Sequence, residues 1–339
     1  MTDQPQLSSH YGVKKRTHDF LRQAKRLIYA VPQLFSYYWY DCMDFISHSG
    51  ATAHPSEREA RLSSITVYAH TIEKGLSLPQ PRPGFGERNI ALLLAAVRDY
   101  LDRFGSDDTL ARVQGVLQAY IEFNISVGKL DYPYKKSIDE LLGQLSGAAR
   151  GGVKTVTRKD LLGSVSGVSS DFFQSRSSVR IFSQEPVALE KIETALRVAQ
   201  KSPSVCNRQS GFVHVLAKRE DIAAALELQG GAKGFSDNVP MLLVITTRTR
   251  NFFGPERNQR WVDGGLFAMS LILGLHMQGL GTCSLNWSKP PKADVALKKL
   301  VGIASDRSII FLLAVGEVPE EYRVAKSEKR PLSEMYSVA

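Results

Sequence analysis

The hydrophobic pattern of the chain changes near residue 150, and this change constrains the fold more than any other feature of the sequence. Residues 89–104 and 109–125 place apolar side chains at helical spacing, and a third helix is predicted over about residues 134–145, after Pro133. No strand pattern precedes residue 150. The sequence therefore predicts an N-terminal helical domain over residues 1–150.

Beyond residue 150, buried-strand patterns alternate with helical patterns, which predicts a second domain of packed strands and helices over residues 171–339. The predicted strands are residues 211–218, 241–248 and 308–316, and the predicted helices are residues 188–201, 219–228, 262–278 and 291–300. The stretch 147–172 is rich in Gly and Ser, so we expect a linker over residues 151–170.

The helical pattern after Asp263, GGLFAMSLILGLHMQGLG, is apolar nearly all round. A helix with no polar face must be covered on several sides. Either a second subunit covers one side, which favours a homodimer, or the helix runs through the centre of a monomer.

Composition excludes several classes of protein. The net charge of +9 over 339 residues is spread along the chain, without a nucleic-acid-binding motif, so we expect anionic small molecules and not nucleic acid as partners. The three cysteines are scattered and form no CxxC pair, which argues against a disulfide framework or a zinc site and favours a reducing compartment.

The N-terminal segment carries no signal-peptide pattern, and its apolar and aromatic run, residues 27–40, is too short to span a bilayer. Basic residues precede this run between Lys14 and Arg26. Residues 14–47 could therefore contact an anionic membrane face, or form a helix packed on the rest of the protein. We expect a cytoplasmic protein, either free or peripheral to the inner membrane face.

Four motifs follow one another in the second half of the chain. They are RSSVRIF (176–182), PSVCNRQ (203–209), GLGTCSLNW (279–287) and KRPLSEMY (329–336). In this order they resemble the FMN-dependent nitroreductase family over about residues 171–339. The resemblance implies an α+β fold with a mixed, mainly antiparallel sheet flanked by helices, preceded here by the helical domain. It also implies FMN as cofactor, NAD(P)H as electron donor, and a homodimer whose flavin pockets are lined by both chains.

The resemblance assigns the phosphate of FMN to basic residues at both ends of this domain. Arg176 with Ser177 or Ser178 would clamp it from one side, and Lys329 or Arg330 from the other. Guanidinium groups and hydroxyls are suited to a phosphate dianion because they form charge-assisted hydrogen bonds with it.

Arg180 matches a position at which the family often has a cation near the flavin pyrimidine. A cation there would stabilise the negative charge of reduced flavin, although a surface ion pair is the alternative interpretation. Backbone N–H groups around Leu285 and Asn286 are candidates to face flavin N5, so no catalytic side chain is expected. Cys206 is not predicted to be a nucleophile, because no His lies nearby in sequence.

The resemblance places the turn at Pro203, Ser204 and Val205 against the edge of the isoalloxazine ring. The amides of Asn207 and Gln209 suit the pyrimidine or ribityl groups, or else they cap the turn. After this motif the chain has Ser-Gly-Phe, where many relatives have Pro-Trp. The pocket over the flavin is therefore expected to differ, and the small-molecule acceptor is left open.

Residues 69–86, AHTIEKGLSLPQPRPGFG, resemble an extension of nitroreductase-like proteins linked to bacterial surface polysaccharide clusters. His70, Glu73 and Lys74 would share one helical face, and Gly75 would end the helix. The three polar residues could relay a proton or form an ion pair at a packed helix end.

Taken together, these patterns predict an FMN-dependent NAD(P)H oxidoreductase, with surface polysaccharide metabolism as its setting. The alternative is a flavin-binding or flavin-free accessory protein that assists glycan assembly at the membrane.

Overall fold

The computed structural model describes residues 8–52, 57–327 and 329–338, with side chains described from residue 28 onward. The α-helices of these residues are α1 (Ser8–His48), α2 (Arg58–Leu76), α3 (Glu87–Phe104), α4 (Ala111–Ser126), α5 (Lys135–Leu142), α6 (Arg158–Val165), α7 (Ser170–Ser175), α8 (Leu189–Ala199), α9 (Arg219–Gln229), α10 (Gln259–Met277) and α11 (Pro291–Val301). The strands are β1 (Gly211–Leu216), β2 (Met241–Arg248), β3 (Gly281–Asn286) and β4 (Arg307–Gly316).

Helices α2 to α5, here called the helical region, pack around a hydrophobic core of their own. The apolar stripe of α3 supplies Leu93 and Val97, which meet Ile72 of α2 and Leu117 of α4 in this core. Burial of such a stripe is the main source of helix stability in a globular protein. The predicted helices are confirmed, with α4 preceded by a short 3-10 turn and α5 ending at Leu142.

The remaining strands and helices form three layers. The sheet order is β1-β2-β4-β3, and every neighbouring pair is antiparallel. Alternate residues of the central strands point to opposite faces, so Leu243 packs with α8 and α10 while Leu242 packs with α9 and α11. The expected α+β fold with a mainly antiparallel sheet is confirmed.

The strand patterns missed β3, which lies within GLGTCSLNW and pairs with β4 at one edge of the sheet. A parallel bridge between Ser178 and Thr282 adds the segment 176–182 along the outer side of β3. Gly281 permits this approach, because a Cβ atom there would lie 2.7 Å from Val318 and 3.0 Å from Val179.

The Gly-rich stretch after the helical region is more structured than a simple linker. A Cβ atom on Gly115 would overlap the carbonyl group of Arg150, so the chain lies directly against α4 there. Gly151 adopts a φ of 97°, which favours glycine. The short helices α6 and α7 lie further along the stretch 147–172.

Gly75 does not end α2, which corrects the sequence prediction. The helix continues to Leu76, and the ring of Phe85 occupies the space that a Cβ atom on Gly75 would need. Glycine is required here for close packing and not for a left-handed helix end.

Among its described side chains, helix α1 contacts the sheet layers near its C-terminal end. Arg260 of α10 donates to Asp44 Oδ2 at 2.7 Å, and the Tyr40 hydroxyl donates to Asp294 Oδ2 at 2.9 Å. Between Ile28 and Trp39 most of the large apolar side chains are exposed, with Tyr29 at 76%. The interpretation of residues 27–40 as a helix packed on its own chain therefore holds for Tyr40 and not for the exposed side chains before it. The basic side chains from Lys14 to Arg26 lie outside the described side chains. None of the described helices combines the length and the apolar character needed to cross a membrane.

Candidate active site

The predicted flavin residues of RSSVRIF lie beside β3, in what we call the β3-edge segment (residues 176–182). The backbone N–H of Val179 donates to the carbonyl of Thr282 at 2.8 Å, which fixes the segment to the strand. Arg176 is partly buried and Arg180 is exposed. Among the described residues, no carboxylate lies within 4.0 Å of either guanidinium group.

Arg180 acts on β3 electrostatically. Burial raises the pKa of the Cys283 thiol, and the positive charge of Arg180 works in the opposite direction. The side chain therefore lies near the middle of β3, although it is exposed to solvent.

The start of the β3-edge segment is anchored to the C-terminal end of α10. His276 Nε2 lies 2.9 Å from Ser175 Oγ and 3.1 Å from the carbonyl oxygen of Phe172. Arg176 follows directly, so its backbone position depends on these contacts with α7.

The motif PSVCNRQ forms a tight turn before β1, here called the β1-edge turn (residues 203–209). The N–H of Val205 donates to Asp263 Oδ2 at 3.1 Å, and the N–H of Gln209 donates to Ser204 Oγ at 3.0 Å. Cys206, Asn207 and Gln209 have φ values of 49°, 53° and 50°. Three non-glycine residues with positive φ are costly, and such strain is concentrated at functional sites.

A pocket of about 160 Å³ adjoins this turn. Pro203, Ser204 and Gln209 line it together with Asp263 and Phe267 of α10. The Gln209 amide N–H₂ also lies 3.3 Å from Asn207 Oδ1. Both amides predicted to face a flavin therefore interact with each other within the turn.

The structure does not bring the two motifs together within one chain. The β3-edge segment lies outside β3 and the β1-edge turn precedes β1, so the two are four strand spacings, or roughly 19 Å, apart across the sheet and a further six residues, or roughly 20 Å, apart along the strands. Their anchors on α10, His276 and Asp263, give a similar separation of about 20 Å along the helix axis. A ligand that contacts both motifs would therefore require a second copy of the chain.

The other predicted site residues occupy two further places. Leu285 is buried and Asn286 is exposed at the end of β3, where the carbonyl of Asn286 accepts a hydrogen bond from Gln229 at 3.0 Å. Lys329 and Arg330 lie exposed in the C-terminal segment after β4.

Sequence reasoning missed Arg208, which is the one buried cation of the β1-edge turn. Its side chain is 1% exposed, donates to Glu256 Oε1 at 2.5 Å and to the carbonyl of Val205 at 3.1 Å, and lies over the rings of Phe252 and Phe253. The signal available in the sequence was a cation within an otherwise uncharged turn motif.

The contacts of the conspicuous HTIEK stretch are those of a packed helix end. Glu73 Oε2 lies 3.2 Å from His70 Nδ1, and Glu73 Oε1 accepts the N–H of Gly152 at 3.0 Å. Lys74 is exposed. Glu73 thus fixes the chain that leaves the helical region.

An antiparallel sheet between two helical layers, with a basic segment along one edge strand, defines the second half as an α+β domain of its own. Residues 173–317 form a nitroreductase-family domain, because the family model matches residues 173–229 and 220–317, and the helical region lies outside it. No curated protein matches the chain in a sequence search.

Several solved structures are similar to the second half. An FMN-dependent nitroreductase from Clostridium difficile R20291 is 23% identical with a TM-score of 0.40, over 45% of this chain and 90% of that one. A nitroreductase family protein from Streptococcus pneumoniae TIGR4 is 19% identical with a TM-score of 0.43, over 50% of this chain and 98% of that one.

Proposed function

We propose that the protein is an FMN-dependent oxidoreductase that passes reducing equivalents from NAD(P)H to a small-molecule acceptor, and that it acts as a homodimer. The observation that carries the proposal is the β3-edge segment within the family-matched half. It presents Arg176 and Arg180 without a carboxylate partner among the described residues.

The residues present fit FMN. A pair of guanidinium groups without anionic partners, next to two partly buried serines, suits a dianionic phosphate. When bound, FMN would supply the hydride-transfer chemistry that none of these side chains can supply alone.

The chain's own residues would bind and orient this group. Arg176, Ser177 and Ser178 would hold the phosphate, with Lys329 or Arg330 closing the site from the C-terminal segment. Arg180 would place a positive charge beside the ring system, where it favours the reduced and more negative state. The strained turn would offer Asn207 and Gln209 from the second copy.

The dimer proposal is supported by an uncovered apolar face on α10. The exposed large side chains of this helix are Trp261, Val262, Leu266, Met269 and Met277. The opposite face, with Leu271 and Leu275, is buried against the sheet and α8. Monomers rarely expose a contiguous stripe of this kind. We expect an obligate interface of more than about 2,000 Å² that brings the two motifs to one pocket.

The direct test is purification of the protein followed by anaerobic titration with NADH and NADPH. We expect yellow protein whose flavin absorbance bleaches on reduction, and a dimer by light scattering at micromolar concentration. Colourless protein that takes up no added FMN would contradict the proposal, as would a flavin-loaded monomer.

A second candidate is an accessory protein at an anionic membrane face, and one observation favours it. Before Tyr40, α1 exposes aromatic side chains that include Tyr38 and a stacked pair, Phe35 and Trp39, with ring centroids 6.3 Å apart. Aromatic residues after a basic stretch are typical of helices that lie in a membrane interface. The link to surface polysaccharide metabolism stays a prediction from the resemblance of residues 69–86.

Vesicle sedimentation separates this candidate from the enzyme. Binding to vesicles with anionic lipids, lost in a Phe35→Ser, Trp39→Ser variant that keeps its flavin, would establish peripheral contact. Equal recovery in the supernatant with and without vesicles would exclude it.

A further inference from the structure

A cavity near the β1-edge turn lies between the helical region and the sheet layers. Its volume is about 550 Å³, which is within the range of small-molecule sites. We call it the interdomain pocket. It is lined by Leu62, Ile65, Thr66, Ala69, Asp108, Thr109, Arg112, Val113, Arg150, Gly151, Arg208 and Gln209.

The two walls of the interdomain pocket are held together by direct contacts. Arg248 at the end of β2 forms an ion pair with Glu59 at the start of α2. Ser63 lies with its hydroxyl 3.5 Å from the carbonyl of Asn251. These two contacts fix α2 relative to β2 and the turn after it, so the fold itself defines the shape of the pocket.

The interior of the pocket combines an apolar wall with cations. Leu62, Ile65 and Val113 supply apolar surface from the helical region. Three of the lining residues are arginines and one is acidic, and that one, Asp108, is already paired with Arg150. Arg208 is paired with Glu256, so the positive charge that meets no carboxylate among the described residues comes from Arg112.

Arg208 lines the pocket mainly with its main chain, because its side chain is only 1% exposed and its guanidinium group is held by Glu256 and two aromatic rings. Arg112, on the facing wall, makes only a long contact of 3.5 Å with the carbonyl of Asn207. No carboxylate of the described residues lies within 4.0 Å of Arg112.

We propose that the interdomain pocket binds a small organic acid, with an apolar body against α2 and a carboxylate or phosphate at Arg112, and that this acid is the substrate of the oxidoreductase. Gln209 lines both this pocket and the smaller one at the β1-edge turn, so a bound molecule reaches the turn assigned to the flavin. The helical region, which lies outside the family-matched span, thereby acts as a substrate-binding wall. The inference that the acid is reduced or oxidised there rests on the proposed function.

The test uses three probes of similar shape and different charge: 4-nitrobenzoate, 4-nitrophenyl phosphate and the neutral 4-nitrobenzamide. Dissociation constants are measured by calorimetry with the purified full-length protein, and KM for each probe is measured with NADPH. We expect at least one anion to bind about tenfold or more tightly than the amide, from its charge-assisted contact with arginine. The stronger of the two anions identifies a carboxylate or a phosphate site.

Two variants locate the binding. Arg112→Gln removes the charge from one wall and should bring the anion to within about twofold of the amide. Thr66→Phe fills the pocket from α2 without a change of charge and should weaken all three probes. The matched control is Arg88→Gln, an exposed arginine of the helical region away from the pocket, which should leave the preference intact.

Equal affinity for the three probes would overturn the proposal, and so would an anion preference that survives both pocket variants. If an acid binds in a manner that depends on Arg112, but NAD(P)H does not reduce the protein, the proposed binding site stands and the proposed function is rejected. Reduction of all three probes with equal KM would support the proposed function and reject the anion site in the pocket.

Discussion

The two edges of the sheet carry different halves of the predicted site, and the molecule completes only one of them within a single chain. At the β1 edge, the turn is tied to Asp263, and the helical region forms a wall beside it. At the β3 edge, Arg176 and Arg180 meet no carboxylate among the described residues. This difference supports the proposal that the β1 edge holds its ligand within one chain, whereas the anion site proposed at the β3 edge is completed by a second copy.

The largest effect is expected from a charge on the apolar face of α10. Met269, which is 44% exposed in one chain, would be buried in the proposed dimer, so Met269→Asp places an unpaired carboxylate there. We expect a dimer dissociation constant raised roughly 100-fold or more, with loss of FMN in parallel because both chains line the pocket. Light scattering and flavin absorbance measure the two effects on one sample.

The matched control for this variant is Ala223→Asp, an exposed position on α9, on the other side of the sheet. It should stay dimeric and yellow. Loss of FMN from a Met269→Asp protein that remains dimeric would show that the two edges are not joined through α10.

Arg176→Ala should affect ligand binding at the β3 edge and leave ligand binding at the β1 edge unchanged. Loss of a charge-assisted bond to phosphate is expected to weaken FMN about 10- to 100-fold, without a change in the affinity of the interdomain pocket for acids. Fluorescence titration of the apoprotein with FMN measures the first quantity, and calorimetry with 4-nitrobenzoate measures the second. Arg197→Ala, an exposed arginine on α8, serves as the control. Unchanged FMN affinity would remove Arg176 from the site.

Arg180→Gln should act on the flavin potential and leave its binding nearly intact. Loss of a positive charge near the ring system disfavours the reduced state, so the two-electron potential should fall by about 30 mV for each ~1.4 kcal/mol of lost stabilisation. Equilibration with a reference dye measures the potential. An unaltered value would show that Arg180 faces solvent in the dimer as it does in one chain.

Most helices and strands could be predicted from the sequence, because the spacing of apolar residues shows which face of an element is buried. β2 was located to the residue, and the helices α3 to α5 and α8 to α11 to within a few residues, since their apolar faces are regular, whereas α6 and α7 fell in the predicted linker. β3 was missed because its six residues begin with Gly and include polar side chains at alternating, solvent-facing positions. A short edge strand carries a weak signal of this kind.

The site motifs could be found from the sequence, but their separation could not. Order along the chain places PSVCNRQ close after RSSVRIF, whereas the strand order β1-β2-β4-β3 puts them beyond opposite edges. The interdomain pocket could not be predicted either, because its lining residues, such as Arg112 and Arg208, lie far apart in sequence. Tertiary contacts between the helical region and the β1-edge turn bring them together.

The smallest effect concerns His214, which lies on β1 beside the turn. It tests whether the β1 edge of a single chain excludes water from this side chain. Burial, reinforced by the nearby charge of Arg307, lowers the pKa of His214 to about 4 from its ordinary value of 6.5. The folded state therefore holds the neutral ring, while the unfolded chain takes up a proton below 6.5. Stability from this residue is fully present above pH 6.5 and is lost as the pH falls toward 4. Because the ring is only partly buried, we expect about 1 kcal/mol, or a Tm decrease of about 1.5 °C for a chain of this length. His214→Gln should remove this component, so the difference between wild-type and variant Tm should change between pH 7 and pH 4.5, with the other ionisable groups cancelling. Parallel curves over this interval would mean that the β1 edge is open to water at His214.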